Sequence, residues 1–73
     1  MTPADAVTEA ARIVGSKAEL ARRLKVRPPT INQWCRGSRP VPAARAMAIE
    51  KLTDGRVLKS DLCPSFPWPE AAA

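Results

Sequence analysis
Residues 17–37, KAELARRLKVRPPTINQWCRG, constrain this chain more than any other stretch. Leu20, Ala21 and Leu24 share one face of a helix, and Ile31 and Trp34 share one face of a second, with only residues 25–27 between the two segments. Ser16 followed by Glu19 is a start signal of the capping-box kind, and Gly37 is a stop signal. Helices this short are marginal alone, so each must bury its apolar face against the other, with Val26 plugging the turn. A helix-turn-helix over about residues 16–37 is the expected result.

The flanking segments fit the same pattern. A helix over Pro3–Val14 has Thr2 as its cap, Pro3 in the first turn where a missing donor is harmless, and Asp5 reaching back in a box-like arrangement. Its inward face is Ala6, Val7, Ala10, Ala11, Ile13 and Val14, and Gly15 ends it. In the second helix Ala18 joins the buried stripe. The third starts near Pro28 and Pro29, and Cys35 lies in or beside its core face. Pro42 opens a fourth helix, with Ala43, Ala46, Met47, Ile49 and Leu52 inward until Asp54 and Gly55 stop it. Beyond that, Ser60 is expected to cap one turn through Cys63. The expectation is an all-α, compact four- to five-helix domain over residues 1–63, a short extended segment near Arg56 to Leu58 being its one allowed departure. Residues 64–73 form a Pro-rich tail, in which Phe66 and Trp68 either fold back on the helices or, with Leu58 and Leu62, help form a dimer face.

Several function classes are excluded early. A chain of 73 residues hides only about 60% of its unfolded surface, leaving no room for an elaborate buried active site beside a core. It has no histidine, which removes the usual general base and metal ligand, and neither a glycine-rich phosphate loop nor a carboxylate pair on one face is present. No enzyme activity, cofactor or metal is therefore expected. No apolar run approaches the roughly 18 residues of a membrane span, and Asp5 and Glu9 stand where an export signal would be basic and then apolar. A cytoplasmic location without a membrane partner follows, with Cys35 and Cys63 as reduced thiols.

The formal charge is +5, and its placement is more telling than its size. Residues 22–45 hold seven basic side chains and no acid, whereas the rest of the chain has five basic residues against seven acidic ones. Such a patch attracts polyanions through long-range fields and counterion release. The bland alternative is a solvated basic face.

With Ile31 and Trp34 inward, Pro29, Asn32, Gln33 and Arg36 face outward, Thr30 flanks them and Arg27 stands at the leading edge. Asn and Gln can bond adenine twice, Arg can do so with guanine, and Thr offers thymine a methyl group. Gln33 and Asn32 are the first candidates for base contacts, followed by Arg27 and Thr30. Arg22, Arg23, Lys25, Arg36, Arg39 and Arg45 frame that helix and suit backbone phosphates. RNA is a weaker fit, because Trp34 is needed inside and no aromatic pair remains for stacking.

The sequences GSKAELARRL, PPTINQWCRG, RPVPAARAMAIEKLTDGRV and DLCPSFPW together resemble the Cro-like phage repressors and YdaS-like antitoxins of the lambda-repressor-like helix-turn-helix class, over about residues 13–68. The resemblance implies a homodimer on a double-stranded DNA operator of two-fold symmetry and repression of transcription. Its alternative implication is an antitoxin that binds a toxin protein and regulates its own operon. Lys25 stands where these families have glycine, and Arg27 replaces their hydroxyl cap. Pro29 disfavours a helical Pro28, which would start the third helix one residue late.

Overall fold
Residues 1–69 are described by the computed structural model, in which the elements are α1 (Pro3–Val14), α2 (Lys17–Leu24), α3 (Pro28–Cys35), α4 (Ala43–Leu52) and α5 (Lys59–Leu62). No strand occurs among the described residues. In α1, Thr2 Oγ1 accepts from the Asp5 N–H at 3.1 Å, and the Gly15 N–H, at φ 124°, donates to the Ala11 carbonyl at the other end. Ala6, Val7, Ala10 and Ala11 are buried, and these small side chains let α2, α3 and α5 all pack on α1.

Ser16 caps α2 by accepting from the Glu19 N–H at 3.0 Å. Only this half of the capping box forms, because the Glu19 carboxylate turns to Arg22 and Arg23 instead. Leu20, Ala21 and Leu24 are buried, but Ala18 is exposed, contrary to expectation. At 3.6 residues per turn it lies about 110° from the centre of that stripe.

Lys25 ends α2 in the left-handed region, with φ 59° and ψ 41°. The turn then closes through Val26 N–H to Ala21 carbonyl at 3.0 Å, which tucks Val26 against the core. Arg27 provides no side-chain cap for α3. None is needed, since Pro28 and Pro29 have no N–H and the Thr30 N–H is taken by the Arg27 carbonyl at 2.9 Å. The helix consequently starts at Pro28 itself, and Gly37, at φ 75°, ends it with its N–H on the Trp34 carbonyl.

Trp34 is 2% exposed, and its Nε1 has no hydrogen-bond partner among the described residues. That orphan costs about 1–3 kcal/mol. Burying about 200 Å² of ring contributes ~5 kcal/mol, so the indole stays inside.

The second half of the chain departs more from expectation. Pro42 precedes α4 as its cap rather than its first residue, and Met47 is 49% exposed, because Ala46 and Ile49 take the core-facing positions. The segment near Arg56 to Leu58 is a bend at Arg56 and Val57 followed by a single extended residue, Leu58, and forms no strand. Its geometry is set by Thr53, a buried residue whose hydroxyl donates to the Ile49 carbonyl at 3.0 Å and accepts from the Val57 N–H at 3.2 Å. Ser60 lies exposed inside α5 and caps nothing. Glu50 does that work, accepting from the Lys59 N–H at 3.0 Å. In the tail, Trp68 folds back half-buried and donates from Nε1 to the Cys63 carbonyl at 2.8 Å. Phe66 packs on the Trp68 ring in a tilted arrangement, with centroids 4.4 Å apart, and stays 42% exposed. Cys35 and Cys63 are unpaired.

Three outcomes follow from these contacts. Lys25→Gly relieves a left-handed side chain and should raise the urea midpoint by the equivalent of about 1 kcal/mol at unchanged slope. Thr53→Val leaves the buried Val57 N–H unpaired and should destabilise by about 1–3 kcal/mol in the same assay. The Arg22 guanidinium, and then that of Arg23, hold the Glu19 carboxyl down from 4.5 to about 2. The stability this adds is fully present above about pH 4.5 and is lost as the pH falls towards 2. Urea midpoints of the parent and Glu19→Gln should therefore differ at neutral pH and converge near pH 2, by an amount that salt reduces.

Candidate nucleic-acid interface
The inner face of α3 is fixed by Ile31 and Trp34, so its outer face carries Pro29, Asn32, Gln33 and Arg36 at spacings of three and four. These four residues and Lys17 line one shallow depression. Lys17 is the first residue of α2 and reaches this place because α2 packs directly on α3. No carboxylate lines the depression.

The base-contact candidates are not equally presented. Asn32 is exposed on the crest of the helix, whereas Gln33 and Thr30 are half-buried at its flanks, and Arg27 is exposed at its head. Gln33 Oε1 accepts from Arg39 Nη1 at 3.2 Å. That bond occupies the side-chain oxygen and leaves the side-chain NH₂ as the group available to donate, while the Gln33 backbone carbonyl accepts from the Ser38 N–H and hydroxyl and holds the following loop.

The six phosphate candidates separate into three groups. Arg36 lies in the depression, and Arg39 adjoins it through Gln33. Arg22 and Arg23 are exposed on α2 but share the Glu19 carboxylate, with Nε distances of 3.1 and 2.6 Å. One carboxylate charge is thus set against two guanidinium charges, and the remaining N–H groups of both arginines are free to meet another anion. Arg45 is half-buried and donates from Nη1 to the Leu24 carbonyl at 3.1 Å, so it closes the C-terminal end of α2. Arg23, Lys25 and Arg45 line a second depression with Lys51, apart from Asn32 and Arg36.

Lys17 was missed by the sequence reading. It stands outside the acid-free segment and two residues before Glu19, so a charge count along the chain passes over it. Ser16 as a cap was the available signal, because it makes Lys17 the first residue of α2, at the edge of the α3 face.

The sequence has relatives among known proteins. Over residues 7–71 the chain matches the family described as Bacterial toxin YdaS. It is 45% identical over 60 residues to a candidate transcriptional regulator, YdaS, of Escherichia coli (strain K12), which covers 82% of this chain and 61% of that protein. It is also 39% identical over 59 residues to the regulatory protein Cro of Pseudomonas phage D3, covering 81% of each. The chain thus spans about three fifths of the length of the Escherichia coli protein. No solved structure matches it. An all-helical domain with a helix-turn-helix at its centre, matched across nearly its whole length, makes this chain a member of the YdaS family.

Proposed function
We propose that this protein is a transcriptional repressor of the Cro type, which places α3 in the major groove of a two-fold DNA operator as a homodimer. The observation that carries this reading is the carboxylate-free stripe of Pro29, Asn32, Gln33 and Arg36 beside Lys17, on a helix whose opposite face is locked into the core. A helix so placed projects by its own width into a groove about 12 Å wide, with its polar edge towards the bases. Both named relatives are regulators, in accord with this.

In this reading Asn32 and Gln33 contact base edges, with Thr30 and Arg27 next to them at the head of the helix. Arg36, Arg39 and Lys17 neutralise the nearest phosphates. Arg22, Arg23, Lys25 and Arg45 extend the footprint only where the DNA bends towards them, the first two with part of their charge offset by Glu19. The protein acts in the cytoplasm, without a cofactor.

A second reading, an antitoxin that binds a toxin protein and regulates its own operon, is favoured by the exposure of Met47, Leu58 and Phe66 on and beyond α4. Site selection from random duplexes by the isolated protein separates the two. A symmetrical selected sequence supports the repressor; failure to select any, with binding rescued by a co-expressed partner, supports the antitoxin. For the repressor, Arg36→Ala should flatten the slope of log K against log salt by about 0.9 and leave base preference unchanged. Asn32→Ala should keep that slope and relax one operator position by about 1–3 kcal/mol.

A further inference from the structure
The second depression is a site of its own kind. Its floor is apolar, formed by Leu24 at the end of α2 and by Ala48 and Leu52 on α4, and its volume is about 320 Å³. Lys25, Arg45 and Lys51 stand around it, and none of the three has a carboxylate partner among the described residues. Arg45 is held at the rim by its bond to the Leu24 carbonyl. Arg23 completes the rim from α2, its charge shared with Glu19. Lys25 and Lys17 lie at opposite ends of α2, about 12 Å apart along its axis, so this rim and the α3 stripe are two separate concentrations of positive charge.

A DNA backbone could meet the lysines but has nothing to place on Leu24, Ala48 and Leu52. The ligand that satisfies both features carries one bulky apolar group with several carboxylates around it. A hollow at the lower limit of small-molecule sites holds one side chain rather than a drug-sized molecule, and cations spaced around it call for more than one carboxylate. We propose that this site docks an acidic segment of a protein partner, one aromatic or aliphatic side chain entering between α2 and α4 while flanking Asp or Glu residues pair with Lys25, Arg45 and Lys51. It goes beyond the DNA reading and does not depend on it. Since Arg45 and Lys25 hold the end of α2 next to the turn into α3, an occupant here touches the segment that sets the angle of α3.

The test uses the full chain and an acetylated, fluorescein-labelled nonapeptide with four acidic residues on each side of a central phenylalanine. Binding is followed by anisotropy and by amide shifts in ¹⁵N-labelled protein. The expected result is saturable binding with shifts centred on Lys25, Ala48 and Leu52. Replacing the phenylalanine by serine should weaken it at least tenfold. Lys51→Glu, at an exposed position, should also weaken the peptide at least tenfold, with affinity for a DNA duplex within twofold of the parent. The proposal is overturned by absence of saturable binding, by equal affinity for the serine peptide, by shifts centred on Asn32 and Arg36, or by an equal loss of duplex binding in Lys51→Glu. A change in melting temperature of Lys51→Glu by more than a few degrees would shift the test to Lys51→Ala, read in the same way.

Discussion
Burial of Ile31 and Trp34 on one side of α3 is the constraint from which the rest of the structure follows. Three residues apart, they fix the rotation of an eight-residue helix that could not hold itself together in water. Their burial needs α1 beneath them, which explains why α1 is lined with alanines, and it needs α2 alongside, which brings Lys17 to the edge of the outer face. The polar stripe is the remainder of that packing. An indole nitrogen left without a partner is tolerated because the ring around it contributes more than the orphan removes.

Much of this was legible in the chain. Apolar spacing located α1, α2 and α3, and residue chemistry at their ends was specific: Thr2, Ser16, Gly15 and Gly37 all act where their types suggest. The outward set of α3 followed from helical phase alone. What sequence could not give was anything that depends on where a second element lies. Thr53 reads as an ordinary polar residue after a helix, yet its hydroxyl joins α4 to Val57 and bends the chain where an extended piece was expected, leaving only Leu58 extended. Glu50 caps a helix nine residues away, a pairing no local signal announces. Met47 fits the period of α4, but that helix packs through the narrower face of Ala46 and Ile49.

Charge shows the same limit. Counted along the sequence, residues 22–45 form one basic block. Folded, they divide among a helix stripe, a pair that shares the single charge of Glu19 and a rim around an apolar hollow. The resemblance to helix-turn-helix regulators placed a glycine at position 25, and the backbone there is left-handed as that implies, so a lysine occupies a conformation made for a smaller residue. Loss of the hydroxyl cap at Arg27 has no such cost, because the two prolines remove two donors of the first turn and the Arg27 carbonyl takes the Thr30 N–H that a cap would have served.

The contact between Arg39 and Gln33 reaches past its own neighbourhood. Tethering one end of an amide decides whether that side chain meets the outside as a hydrogen giver or taker, and here the tether comes from an exposed residue of the loop that follows α3. The residue at position 39 thus sets the chemical polarity of position 33 from outside every helix.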